Sequence, residues 1–387
     1  MAEHADFLVI GAGIAGASVA YHLAERARVI VLERESQPGY HTTGRSAAIY
    51  TETYGNRAIR ALTSASRAFF ETPPAGFASD PLLHPRGELL IGRADQMELL
   101  DRALEEATRT LGDVTMIGEA EILARVPFLK RGYAKAGVWE PGARDMDVHA
   151  IHHGFLRGLR ARGGRVVTDA EVLGLTKAGA RNRDWIIETR AGGFAAPVVI
   201  NAAGAWADVI AAMAGARTIG LVPKRRTAFT FDVPPGVLGG LAVDGVPGVT
   251  DAEDGWYFKP ESGRLLGSLA DETPSEPCDA QPEEIDLATA IDRIEQAVTF
   301  PIGRLHSKWA GLRSFVDDRS IVAGFAADAP GFFFLAGQGG YGIQTSPAMG
   351  RIAAMLARGE AFPREIEDRG VTEADLSPNR PGLIRGT

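Results

Sequence analysis

The chain has 387 residues, 45% hydrophobic and 23% charged, which suits two or three folded domains of roughly 150 residues each and excludes a largely disordered protein. Its net charge of −8 argues against a nucleic-acid partner, and no stretch approaches the ~18–20 apolar residues of a transmembrane segment. A single cysteine, Cys278, permits neither an internal disulfide nor a cysteine-built metal site, and the acidic start lacks the basic region of a secretory leader, so no metal and a cytoplasmic location are expected.

Taken in order, Phe7 to Ile10 is an apolar run that predicts a buried parallel strand. Gly11, Gly13 and Gly16 follow and open a helix to about Arg26, and Val29 to Leu32 predicts a second buried strand ending at Glu33. A polar, Gly/Ser/Thr-rich loop spans about 38–54. Helices are predicted over 58–70 and 95–111, the latter with Asp95 as N-cap, and a strand over 87–91 lies between them. A second α/β stretch, 149–205, holds a helix (150–162), a strand (165–167), a hairpin around Trp185 and a strand (198–201). Apolar alternation broken by Pro and Gly over 229–266 predicts an antiparallel sheet, followed by a helix over 285–297. The last unit is a strand (331–336), a glycine loop (337–342) and a helix (344–358), and the final ~15 residues read as a surface tail. The expected fold is α+β. A Rossmann-like nucleotide domain is assembled from 1–77, 143–219 and 315–387, and a substrate domain with an antiparallel sheet from 78–142 and 220–314.

G-x-G-x-x-G alone is a weak signal. Here it lies between strand and helix, and an acid, Glu33, stands 22 positions after Gly11 at the end of the next strand. Gly11 serves the tight turn, Gly13 the close approach of backbone to a pyrophosphate, and Gly16 the packing of helix on strand. Glu33 suits ribose hydroxyls and repels a 2′-phosphate, although Arg34 is adjacent. The fingerprint leaves FAD and NAD open. The second glycine loop, Gly337-Gln338-Gly339-Gly340-Tyr341-Gly342, favours a flavin, because a helix N-terminus can meet the negative charge that develops on its reduction.

Five segments carry a family resemblance: Asp6 to Ser18, Gln37-Pro38-Gly39-Tyr40-His41-Thr42-Thr43-Gly44-Arg45-Ser46-Ala47-Ala48, Pro223-Lys224-Arg225-Arg226, Trp309-Ala310-Gly311-Leu312-Arg313-Ser314-Phe315 and Gln338 to Ser346. With them the chain resembles FAD-dependent D-amino-acid dehydrogenases of the glycine oxidase/D-amino-acid oxidase superfamily, bacterial D-arginine dehydrogenases above all. The resemblance implies noncovalent FAD and oxidative deamination of a D-amino acid, D-arginine, D-lysine or a broader range, to an imino acid that hydrolyses to a 2-keto acid. Electrons would pass to an acceptor such as a quinone or a carrier. It implies cofactor contacts from Gly11, Gly13, Ala15, Gly16, Glu33, Arg34, Thr42, Thr43, Gly44, Arg45, Ser46, Ala47, Ala48, Ile49, Val172, Gly311, Gly339, Gly340, Tyr341, Gly342, Ile343 and Gln344. For the substrate it implies Arg226 and Arg313 on the carboxylate, helped by Tyr54 and Tyr257, the Gly340 carbonyl on the amine, and Glu88 on a cationic side chain.

Each reading has a plainer competitor: a surface ion pair for Arg226, ordinary half-buried tyrosines for Tyr54 and Tyr257, and a solvent-facing strand position for Glu88. The chain departs from arginine-preferring relatives at Ile49, where they have histidine, and at Gly248 and Thr250, where their wall is larger and more apolar. Asp251, Glu253 and Asp254 read as a solvated loop. No general base is evident. A glycine, sarcosine or other secondary-amine oxidase on the same fold is the alternative, and a non-catalytic flavin-binding subunit a second one.

Overall fold

The computed structural model describes residues 2–179 and 184–383. Phe7–Ile10, Val29–Leu32 and Phe332–Ala336 are buried at every position, as strands covered on both faces must be, which is why they read as unbroken apolar runs. They belong to a six-stranded sheet with the order Arg165–Val167, Val29–Leu32, Phe7–Ile10, Val198–Asn201, Phe332–Ala336, Val322–Phe325. All neighbours run parallel except the last pair, which is antiparallel. The helices that open after the two glycine loops, Ile14–Leu23 and Ser346–Ala357, lie against each other. Their approach is close: a Cβ on Gly350 would sit 2.7 Å from the Ser18 Cβ. This is the expected Rossmann-like layer, drawn from several separate stretches of chain.

A nine-stranded sheet forms the second body. Its longest strands, Val222–Phe231 and Leu305–Phe315, pair antiparallel with Lys224 opposite Arg313 and Arg226 opposite Gly311. The strands between 248 and 268 form antiparallel pairs as expected, with one correction: Gly248–Asp251 also pairs in parallel with Glu88–Gly92, setting Gly248 opposite Glu88. Glu88–Gly92 pairs antiparallel on its other side with Ala136–Glu140, so Glu88 and Glu140 are opposite one another. Two smaller sheets complete the chain, one of them holding the hairpin at Trp185.

Three local expectations are corrected. The first helix ends at Leu23, a turn early, and residues 24–26 form the turn that feeds the next strand. Asp95 is not an N-cap: it lies in a 3-10 turn, Ala94–Gln96, and the helix runs Met97–Thr108. The Gln96 side chain, buried, takes the backbone N–H of Arg93 at 2.8 Å and closes that turn instead. The end of the chain is not a free tail. Leu376 and Leu383 are buried and Arg380 holds Asp318 at 2.7 and 2.8 Å, while residues 384–387 lie outside the described residues. Among the described residues no helix is long and apolar enough to cross a membrane.

Candidate active site

Three cavities adjoin in series, each sharing lining residues with the next. The first, about 370 Å³, is lined by Gly11, Gly13, Glu33, Arg34, Thr42, Thr43 and Val172. Gly11 has φ +98° and a Cβ there would fall 2.5 Å from the Ala202 carbonyl oxygen; a Cβ on Gly16 would fall 1.9 Å from the Gly11 carbonyl oxygen. Gly16 therefore packs behind the turn and lines no cavity. The Glu33 carboxylate is buried and accepts the backbone N–H of Ala12 (2.8 Å) and of Glu35 (3.0 Å). Burial pushes its pKa up against those two bonds. Each oxygen keeps acceptor capacity for a ligand hydroxyl.

Arg34 stacks on Trp206 at 4.8 Å and pairs with Glu35 and Glu171, so its charge is already met by acids. Trp206 also lines the cavity, and nothing in its sequence context announced it.

The second cavity, about 140 Å³, shares Gly13, Thr42 and Thr43 with the first and adds Ala15, Arg45, Ser46, Ala47, Ala48, Gly311, Gly339, Gly340, Gly342 and Ile343. The loop 42–46 is fixed to the arginine strand: Thr42 Oγ1 donates to the Leu312 carbonyl (2.7 Å), Arg45 to those of Ala310 (3.0 Å) and Ala280 (2.9 Å), and Trp309 Nε1 to that of Arg45 (3.0 Å). Gly44 lies behind this loop, where a Cβ would meet the Gly39 carbonyl oxygen at 2.6 Å. Tyr341 faces away, its ring buried against Tyr54 and Phe315. Gln338, unassigned from the sequence, lines this cavity with a buried Nε2 that has no protein partner.

The glycine cradle, the buried acid Glu33 and the unpartnered amide of Gln338 suit a bound dinucleotide. Among the described residues no group of three or more His, Cys, Asp or Glu could hold a metal ion.

The third cavity, about 320 Å³, is lined by Tyr54, Glu88, Arg226, Tyr257, Arg313 and Gly340, with Ile49 and Gln344 also on its wall. Arg226 does reach an acid, Glu272 at 3.8 Å, but as a largely buried side chain and not a surface one. Its side chain is 12% exposed, and its Nε donates to the Asp271 carbonyl at 2.8 Å. Burial, then the nearby Arg313 cation, press its pKa down. Arg313 donates to the Tyr54 hydroxyl at 3.1 Å, and a Cβ on Gly340 would lie 3.0 Å from both partners, so a larger residue there would push the pair by a few tenths of an ångström.

Glu88 points into this cavity rather than to bulk solvent. Its Oε1 accepts the Thr250 hydroxyl at 2.7 Å and its buried Oε2 has no partner. Burial pushes its pKa up to about 8, against the Thr250 bond and with help from the charge of Glu140. Gly248 makes this possible, since a Cβ there would fall 2.0 Å from Glu88 Oε2.

The acidic loop is not uniformly solvated. Asp251 is 3% exposed and accepts N–H groups of Glu253 (3.2 Å) and Gly255 (3.3 Å), whereas Asp254 lines the third cavity. Asp254 is solvent-exposed, as expected of this loop, and the charges of Arg226 and Arg313 favour its ionised form.

Comparison with known proteins supplies the remaining findings. The profile of the FAD dependent oxidoreductase family matches residues 6–356. The chain is 28% identical, over 54% of its length, to L-2-hydroxyglutarate dehydrogenase of Escherichia coli K12, and the match spans 50% of that protein. Among solved structures it is similar to glycine oxidase from Geobacillus kaustophilus (TM-score 0.78, 21% identity, 93% of this chain and 97% of that one). It is also similar to iminodiacetate oxidase from Chelativorans sp. BNC1 (TM-score 0.77, 21% identity, 97% and 99%).

Proposed function

The chain belongs to the FAD dependent oxidoreductase family, with FAD as its cofactor, and from that premise we propose that it oxidises the CH–NH bond of an amino acid. The observation that carries this reading is the juxtaposition of Arg226, Arg313, Tyr54 and Tyr257 where the second and third cavities meet. Two guanidinium forks and two hydroxyls form a carboxylate clamp, which fixes orientation as well as affinity. The division into an FAD-binding domain (1–77, 143–219, 315–387) and a substrate domain (78–142, 220–314) draws support from the two larger sheets, while the three-stranded sheet crosses it, pairing Leu83–Pro85 with Arg144–Met146. The six-stranded sheet draws only on the former stretches, and the nine-stranded sheet on the latter apart from the end of its last strand.

In this reading Arg226 and Arg313 hold the substrate carboxylate, and the Gly340 carbonyl accepts from the amine. The side chain extends toward Glu88. FAD, when bound, supplies the acceptor for the hydride from the carbon bearing the amine. The carboxylates on the wall of the third cavity, Glu88 and Asp254, take no base role in this reading, and the ammonium proton leaves to water. For a primary amine the imino product then hydrolyses to a 2-keto acid and ammonia.

Of two substrate classes, the comparisons give better support to glycine or a secondary amine than to a D-amino acid. The resemblance and the free oxygen of Glu88 favour a D-amino acid with a cationic side chain. The likeness to proteins named glycine oxidase and iminodiacetate oxidase favours glycine or a secondary amine. The deciding experiment is an anaerobic screen of flavin bleaching with D- and L-amino acids, N-methyl amines and, as a control for the E. coli relative, 2-hydroxy acids. Bleaching by amino compounds alone supports the proposal; bleaching by hydroxy acids alone, or by nothing, overturns it. Peroxide formed in air distinguishes an oxidase from a dehydrogenase that passes electrons to a quinone or carrier.

Two further outcomes are expected. Glu33→Ala removes a carboxylate from the wall of the first cavity and from the Ala12 and Glu35 amides. A charge-assisted hydrogen bond is worth about 1.5–3 kcal/mol, so the Kd for FAD should rise roughly ten- to a hundred-fold. Flavin fluorescence on dilution measures it, and an unchanged Kd removes Glu33 from the site.

The second concerns pH. Glu88 is neutral below about 8 and must lose a proton to pair with a cation. The ratio of kcat/KM for D-arginine over D-methionine should therefore climb as pH rises through about 8 and level off only about one pH unit above it. Titration of the shared amino group cancels in that ratio. Glu88→Leu should flatten the profile and lower the plateau about ten- to a hundred-fold. A pH-independent ratio in the wild type would exclude Glu88 as the side-chain partner.

A further inference from the structure

Glu88 and Glu140 face each other across one strand pair, and both line the third cavity. They are not equivalent. Glu88 keeps one oxygen free, whereas both oxygens of Glu140 are engaged. Its Oε2 accepts the hydroxyls of Thr51 and Thr53, each at 2.6 Å, and its Oε1 accepts the backbone N–H of Glu52 at 3.0 Å. Thr51, Glu52 and Glu140 are all buried. The three donors belong to consecutive residues, and the next residue is Tyr54.

This segment needs an external hold. The strand Ile49–Tyr50 has ended and the helix Arg57–Glu71 has not begun, so residues 51–55 lie outside both, and Asn56 enters as the helix N-cap, its carbonyl accepting the Arg60 N–H at 3.0 Å. An ionised carboxylate has acceptor sites for all three donors, and bonds to a charged acceptor are stronger than neutral ones. The partner strand Ala136–Glu140 is anchored in the nine-stranded sheet, so the hold is referred to a rigid element.

We propose that Glu140 is a positioning residue: it ties the segment 51–53 to the sheet and thereby sets Tyr54 against Arg313. The inference rests on reading Arg226 and Arg313 as a carboxylate clamp. Glu140 itself touches no substrate in this arrangement and acts through Tyr54, whose hydroxyl accepts the Arg313 N–H.

The test uses FAD-loaded protein and benzoate as a simple carboxylate probe, its binding followed by the shift in flavin absorbance. Glu140→Ala, Glu140→Gln, Tyr54→Phe and the double variant Glu140→Ala/Tyr54→Phe are compared, together with hydrogen exchange of the peptide covering residues 50–56. Glu140→Ala should speed exchange of that peptide and raise the benzoate Kd about ten-fold, with Glu140→Gln recovering part of the loss. Combined with Tyr54→Phe, it should add little, because both changes remove one interaction. If Glu140→Ala does not fold, Glu140→Gln against Tyr54→Phe gives the same cycle.

Unchanged exchange, or effects on Kd that multiply in the double variant, overturn the proposal. Arg313→Leu serves as the separate control. Should benzoate bind it as it binds the wild type, the clamp reading fails, and with it the proposal that Glu140 positions a clamp, whatever the exchange shows.

Discussion

Arg313→Leu is expected to reduce kcat/KM for free amino acids by roughly 10²- to 10³-fold while FAD stays bound. The guanidinium is held in the cavity wall by Tyr54 and faces Arg226 across the junction of the second and third cavities. Removing one partner of a buried charge pair costs about 2–5 kcal/mol, and every ~1.4 kcal/mol is a factor of ten. Arg313→Lys should rescue little, because an ammonium keeps the charge and loses the planar fork. The measurement is steady-state kinetics normalised to bound flavin, with an amine lacking a carboxylate as control. That amine should be turned over equally well, or equally poorly, by both proteins. Near-normal turnover of amino acids by Arg313→Leu would sink the clamp.

Gly16→Ala is expected to yield protein purified largely without flavin and with a lowered Tm. The added methyl would lie 1.9 Å from the Gly11 carbonyl oxygen, a backbone atom in a turn already fixed by φ +98° at Gly11. Nothing flexible stands there to yield, so the helix Ile14–Leu23 must move off the strand Phe7–Ile10. Overpacking of this kind costs about 1–3 kcal/mol and shifts the very turn the cofactor approaches. Gly13→Ala is the informative comparison. Its methyl meets only the Thr43 hydroxyl, at 3.2 Å, so the fold should hold while cofactor affinity falls. Flavin-to-protein ratio and thermal melts separate the two. Full flavin content in Gly16→Ala would show that the turn can open.

The nucleotide layer was legible because its signals are local. A strand, a glycine turn, a helix and an acid within 33 residues specify their own geometry, and the late glycine loop repeats the device. The clamp was half legible. Arg313 follows an apolar stretch, but only the register of two strands, joined through a long excursion of chain, brings it beside Arg226.

What escaped notice depends on such distant pairing. The parallel register of Gly248 with Glu88 explains at once why a glycine stands there and why the acid has room. No alternation within 229–266 could reveal it. Trp206 carries no motif, and Gln338 sits inside the late glycine loop without a signal of its own, so their place on the cavity walls shows only in the packed structure. Asp251 misled for the same reason: a charge-rich loop reads as solvated until Arg93, far away in sequence, is found bonded to it at 3.3 Å.

The crowding of Arg226 and Arg313 has a consequence for turnover itself. Burial and mutual repulsion both disfavour the Arg226 cation, and a small anion between the two would relieve that strain. Such a site does not discriminate by the state of oxidation of the neighbouring carbon. In the proposed reaction a 2-oxo acid product would retain the same carboxylate as the amino acid consumed, so product should compete with substrate, and progress curves should bend well before substrate is exhausted. Acetate or citrate as assay buffer should mimic the effect, raising the apparent KM in proportion to buffer concentration while leaving kcat untouched.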